Sequence, residues 1–473
     1  MLKQLFFTLI IMTVICQCQD KGLVSPKVKT SSGIVCGKIS EDKQTEMFFG
    51  VPFAEPPVGE LRFQAPKKIQ KRQGEIKCTE MPPSAMQNNP APYECWDMDF
   101  QIPPSPISED CLYLNIWKPA KVAENEKLPV LVWIHGGGFV TGSGTIPLYG
   151  GETFAQNQTV YVTINYRVGI FGFLAHRDLA AESPLNTSGN YGILDQIEAL
   201  KWINENIEKF SGDKNNITIA GQSCGSYSVN ALMVSPLAKG LFNKAILQSG
   251  GFTSEKPMFT LPYQEAENYG EQFLQKRNLT IEKLRQMPAD SVQKLPFYQS
   301  VIAIDEKVVP TPKTVFEKGQ QNCKTIISGY TETDGCNFDP IENEAKKVKN
   351  RLIGFGYENW LIAKLNAETG GKSYLYMFRH LPPDEKRYGV FHSSELGYAL
   401  GTLKFWHRNF KDEDYVLSKN MNAYWREFVK TGNPNFENAP EIWEEFPRCI
   451  NFDTKIYMSD FQDEKECEEI LQN

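Results

Sequence analysis

The run LPVLVWIH, residues 128–135, is apolar at nearly every position. A strand with one wet face alternates apolar and polar residues. A strand apolar throughout is buried on both faces, as in a parallel sheet covered by helices. VYVTINYR (160–167), NITIAG (216–221), NKAILQSG (243–250), KTIISG (324–329) and KSYLYMF (372–378) read as further strands. Between the second and third lies GILDQIEALKWINENIEKF, with Leu194, Ile197, Leu200, Ile203, Ile207 and Phe210 at three- and four-residue spacing. That is the period of an amphipathic helix. A second helix, CGSYSVNALMVSP, is stopped by Pro236. Strands alternating with helices predict an α/β fold with a mostly parallel central sheet covered on both faces. Without internal repeat, low-complexity tract or flexible linker, one domain over 19–473 is expected.

The pentapeptide GQSCG, residues 221–225, falls between the strand NITIAG and the second helix. G-x-S-x-G alone is weak, arising by chance roughly once in six chains of this length. Its place is what gives it meaning. A tight strand-to-helix turn strains the central residue and leaves no room for side chains on the flanking glycines. The Ser223 hydroxyl is then presented at the carboxyl end of a strand, against a helix N-terminus. A serine needs a base, and an ester's tetrahedral intermediate needs donors for its oxyanion. HGGGF (135–139) follows the first strand, and its glycines let backbone N–H groups approach a substrate. Gly137 and Gly138 are the expected oxyanion donors, with the N–H of Cys224. The chain order Ser, Asp/Glu, His leaves His380, His392 and His407 as candidate bases, and periodicity does not choose among them.

The N-terminus, MLKQLFFTLIIMTVICQCQD, has Lys3 before an apolar run from Leu5 to Ile15 that is short for a membrane span. Residues 1–18 read as a cleaved signal peptide. With no second apolar run of spanning length, the mature chain is expected to be soluble and secreted, or vacuolar or lysosomal. Two of the eleven cysteines, Cys16 and Cys18, fall in the leader, leaving nine, an odd number. An oxidising compartment favours disulfides among them. Asn157, Asn186, Asn216 and Asn278 sit in N-x-S/T sequons, as in a glycoprotein. A net charge of −7 with no long basic run gives no footprint for nucleic acid. No Cys/His cluster has zinc spacing, and acyl transfer by an activated serine needs neither metal nor organic cofactor.

Four stretches together resemble the type-B carboxylesterase and cholinesterase family of α/β-hydrolases. They are FFGVPFAEPPVGELRFQAP (48–66), SEDCLYLNIW (108–117), the segment from GNYGILDQ to GQSCG, and YWREFVKTGNPN (424–435). The resemblance implies an α/β-hydrolase fold and a Ser-His-Asp triad acting on small esters through an acyl-enzyme. G-x-x-H-x-x-E-L matches Gly389 to Leu396 and singles out His392. The acid's turn matches GYTETDG, giving Asp334 with Glu332 as competitor. Where the family usually has Glu before the nucleophile and Ala after it, this chain has Gln222 and Cys224. Gln101 stands where cholinesterases carry a cation-binding tryptophan, and Trp96 lies five residues away, as a packed loop residue or a pocket wall. Both departures favour neutral esters. The family's first disulfide ends at Cys111, but its partner position holds Ala85; Cys95 is the expected substitute and Cys78 the alternative. The stretch from Asp334 to His392 is short, implying a more open pocket. The alternatives are a catalytically dead adhesion protein of the same fold, or a lipase.

Overall fold

In a computed structural model, residues 25–104, 106–254, 257–335 and 344–472 are described. The signal-peptide segment 1–18 and Cys336 lie outside them. Eleven strands form the main sheet, numbered here along the chain: β1 Lys38–Ile39, β2 Thr45–Pro52, β3 Tyr113–Pro119, β4 Leu128–Ile134, β5 Val160–Ile164, β6 Gly212–Gln222, β7 Lys244–Gln248, β8 Thr325–Thr331, β9 Lys372–Phe378, β10 Arg448–Phe452 and β11 Tyr457–Asp460. Their spatial order is β11-β10-β9-β8-β7-β6-β4-β5-β3-β2-β1. Every pair from β10 across to β5 is parallel; the two ends of the sheet are antiparallel. A small separate sheet pairs Lys27–Thr30, Gly33–Cys36 and Glu75–Lys77.

The apolar run of β4 is buried on both faces. Val130, Val132 and Ile134 enter one hydrophobic cluster, while Leu131 and Trp133 enter another. Side chains alternate across a strand, so these two clusters are the two layers that the sheet separates. Helices α1 (Tyr191–Asn206) and α2 (Cys224–Val234) pack in the first layer. Helix α3 (Asp412–Thr431) places Met421, Trp425 and Phe428 in the second. The apolar periodicity read as one helix through Phe210 ends instead at Asn206. A short 3₁₀ turn, Ile207–Phe210, follows and Ser211 reverses the chain in a left-handed conformation.

The expected Cys95–Cys111 disulfide is corrected by this layering. Both are free thiols, and Cys95 is buried in the second layer's cluster whereas Cys111 is buried in the first's. Of the four sequons, Asn157, Asn186 and Asn278 are exposed. Asn216 is half-buried, its amide donating to the Lys430 carbonyl and accepting from Lys244 Nζ. Among the described residues no helix is long and apolar enough to cross a membrane.

Candidate active site

Strand β6 ends at Gln222 and α2 begins at Cys224, so Ser223 alone makes the turn. It has φ 57° and ψ −131°, a combination disfavoured for an L residue with a side chain. Its N–H donates to Gln248 O at 2.9 Å and its carbonyl accepts from Tyr227 N at 3.0 Å, which tie the turn to β7 and to the first turn of α2. Gly225 is required by contact: a Cβ there would lie 2.1 Å from the Ile134 carbonyl oxygen. The helix therefore packs directly on the end of β4, beside the glycine loop.

That loop is held from three sides. Tyr166 OH donates to the His135 carbonyl at 2.8 Å, and the two rings stack with centroids 4.2 Å apart. His135 Nδ1 lies 2.8 Å from Gly136 O, and burial lowers the pKa of this imidazole to about 4. Gln87 accepts from Thr141 Oγ1 and Gly142 N and donates to Gly142 O. Gly137 and Gly138 take φ values of 108° and 63°, which glycine adopts without strain. The Cys224 thiol is buried beside this loop. Burial pushes its pKa up, opposed by the N–H groups of Gly138 and Phe139.

Of the three candidate histidines, His392 is the one that meets Asp334. Its Nδ1 lies 2.5 Å from Asp334 Oδ1, with both side chains buried. Asp334 Oδ2 accepts from Thr331 N at 3.2 Å, at the end of β8. Glu332, the competing acid, faces elsewhere and pairs with Arg379 at 2.7 Å. His380 pairs with the buried Asp414 at 2.8 Å, and His407 sits on the surface against Asp99. The Nε2 of His392 lies 3.2 Å from Gln222 Nε2. Ser223 Oγ makes no hydrogen bond to a described residue.

Ser223, His392, Gly137 and Gly138 open into one cavity of about 880 Å³, in the upper range for small-molecule sites. Ser223 is partly exposed at its floor. Trp96, left open between loop packing and pocket wall, is half-buried and lines this cavity. Its ring meets His392 edge-on at 5.9 Å, and its Nε1 donates to Ser393 Oγ at 3.1 Å. Gln101 lines the cavity as well.

Two neighbours of the imidazole were not foreseen. Phe355, in a π-helical turn over Leu352–Gly356, stacks on His392 with centroids 4.2 Å apart. No periodicity announces such a turn. Glu395 is fully buried three residues after His392. Burial first, and then the Asp334 charge, pushes its carboxyl up to about 7. It was visible only as a letter in the G-x-x-H-x-x-E-L match. Among the described residues no group of three or more His, Cys, Asp or Glu side chains is placed to hold a metal ion.

The chain matches the carboxylesterase family over residues 24–358 and 350–470.

The chain belongs to the carboxylesterase family.

Relatives agree along most of its length. Para-nitrobenzyl esterase of Bacillus subtilis (strain 168) is 31% identical over 466 residues, covering 86% of this chain and 91% of that protein. Carboxylesterase 1C of Mus musculus is 30% identical over 518 residues, covering 91% and 89%. Fumonisin B1 esterase of Sphingopyxis macrogoltabida is 43% identical over 253 residues, and that match spans 54% of this chain and 44% of that protein. A solved PNB esterase structure superposes with a TM-score of 0.81 at 28% identity, covering 94% of this chain and 98% of the other. This carboxylesterase is therefore an α/β-hydrolase and a carboxylic ester hydrolase of the serine type.

Proposed function

We propose that the chain is a secreted carboxylesterase that cleaves neutral carboxylic esters through Ser223, His392 and Asp334. The observation that carries this reading is the meeting, in one cavity, of a strained serine turn with a buried His392–Asp334 pair. Strain at a single turn residue persists only where the surroundings enforce it, and it aims the hydroxyl.

In this reading Asp334 holds a proton on His392 Nδ1 and leaves Nε2 as the base. The imidazole turns from the Gln222 amide to the Ser223 hydroxyl as substrate enters, since catalytic hydrogen bonds tighten in the reacting complex. Ser223 Oγ attacks the ester carbonyl while His392 accepts its proton. The N–H groups of Gly137, Gly138 and Cys224 hold the oxyanion. His392 returns the proton to the departing alcohol, leaving an acyl-Ser223. Water, deprotonated by His392, then releases the acid and restores the serine.

Residues 1–18 are the proposed signal peptide and 19–473 the single mature domain. Glycans on the exposed Asn157, Asn186 and Asn278 accord with secretion, and the engaged Asn216 is the weakest acceptor of the four. The mechanism is tested by rapid mixing with p-nitrophenyl acetate. An acyl-enzyme gives a burst of p-nitrophenol stoichiometric with protein, and Ser223→Ala abolishes it. A linear onset, insensitive to Ser223→Ala, would sink the reading.

A further inference from the structure

Charge is distributed unevenly around the active-site cavity. Among the described residues, no Asp or Glu lines it. Among the described residues that line it, Lys294 is the one ionisable cationic side chain besides the His392 imidazole. Lys294 follows the short helix Ala289–Gln293 and opens a continuous wall, Lys294 to Tyr298, whose other members are apolar or aromatic. It is exposed, and its ammonium makes no ion pair with a described residue. Asn88, Asn89 and Gln101 also line the cavity. Their side-chain amides make no hydrogen bond to a described residue, so their N–H groups are open to an acceptor. The chain as a whole carries −7, so this absence of carboxylates is local.

The aromatic walls by themselves fit two kinds of substrate. Tyr93 and Trp96 stack with planes 5° apart and centroids 6.0 Å apart, and such faces accept a cation as readily as an alkyl chain. The charge decides between them. A cation entering here meets Lys294 and finds no carboxylate to offset its desolvation. An anion finds one ammonium and several amide donors.

We propose that the cavity selects esters bearing a carboxylate remote from the scissile bond, and that Lys294 is the residue that recognises it. The inference rests on the ester-hydrolase reading of Ser223 and narrows it: neutral esters are turned over, but the preferred substrate is uncharged around the scissile ester and anionic at its far end. The ester carbonyl sits over Ser223, the linking chain lies along the aromatic wall, and the carboxylate reaches the Lys294 ammonium. Hydrolysis of such a half-ester gives a dicarboxylate and an alcohol.

The test compares monomethyl esters of linear dicarboxylic acids, from glutarate to suberate, with length-matched methyl alkanoates. Methyl 4-(trimethylammonio)butanoate serves as the cationic counterpart, and turnover is followed by proton release. At the best chain length the half-ester is expected to exceed its neutral partner at least threefold in kcat/KM. The cationic ester should fall below both. That ratio should drop toward unity in Lys294→Met, invert in Lys294→Glu, and shrink with added salt. A ratio at or below unity at every length, or one that Lys294→Glu leaves unchanged, overturns the proposal. Calorimetric binding of the free dicarboxylates to Ser223→Ala protein keeps the two readings apart. Binding that Lys294→Glu weakens supports the anion site even if no ester turns over. Its absence overturns the anion site while the hydrolase reading stands on turnover.

Discussion

The Phe355 ring lies almost flat on the His392 imidazole, with planes 16° apart and centroids 4.2 Å apart. Trp96 meets the same imidazole edge-on, so the ring is confined on its face and at its side. Stacking of this kind is worth about 0.5–1.5 kcal/mol beyond burial. Phe355→Leu keeps most of the packed volume but loses the plane. It is expected to lower kcat by roughly three- to tenfold with little change in KM. Steady-state kinetics on p-nitrophenyl butyrate decide it: an unchanged kcat would make Phe355 a mere wall of the cavity.

Asp334 and Glu332 are two residues apart, yet only Asp334 faces the imidazole. Asp334→Asn should cost roughly 10³- to 10⁴-fold in kcat, because the amide favours the wrong imidazole tautomer. Glu332→Gln removes the partner of Arg379 and should leave kcat within about threefold of wild type. Equal losses in the two variants would contradict the assignment.

Gln222 is buried next to Ser223 and contributes no charge. Gln222→Glu would restore negative potential beside the reacting carbonyl. A carboxylate within several ångströms of a quaternary ammonium is worth a few kcal/mol at an intermediate dielectric. The kcat/KM for butyrylthiocholine relative to p-nitrophenyl butyrate should therefore rise, by roughly tenfold. An unchanged ratio would mean that the walls, rather than charge, exclude choline esters.

Glu395 makes stability depend on pH in an unusual direction. Its carboxyl is raised from the ordinary 4.5 to about 7, with Oε1 accepting from Gln248 and Oε2 without a hydrogen bond to a described residue. Between those values the folded chain holds more protons than the unfolded chain, so this group's contribution to stability falls as pH rises. The full cost, on the order of 3 kcal/mol, is reached above about pH 7. Glu395→Gln removes the titration. Its Tm relative to wild type should climb as pH goes from about 4.5 to about 7, and a flat difference in thermal melts would refute the shift.

The sheet and the serine turn were readable because each rests on local rules. The apolar β4 and the largely apolar, aromatic β9 could be buried only in a helix-covered sheet, and β9 lies at Lys372–Phe378 as read. The motif GQSCG had meaning only between NITIAG and a helix, and that placement holds, with α2 stopping at Val234 before Pro236. Asp334 needed more than spacing, since the choice over Glu332 is made by where β8 ends and by Arg379 drawing the other carboxylate away. The cysteine pairing is not formed, because separation along the chain does not reveal that Cys95 and Cys111 pack in different hydrophobic clusters. Phe355 reaches His392 through a π-helical turn, a departure from regular period that no apolar pattern encodes.

The most direct measurement is hydrolysis of p-nitrophenyl butyrate by the purified mature chain beside a folded Ser223→Ala variant. Wild type should turn the ester over readily, and the variant should lose several orders of magnitude of activity. Turnover that survives the substitution, or a well-folded wild type with no activity, would contradict the assignment of Ser223 as the nucleophile.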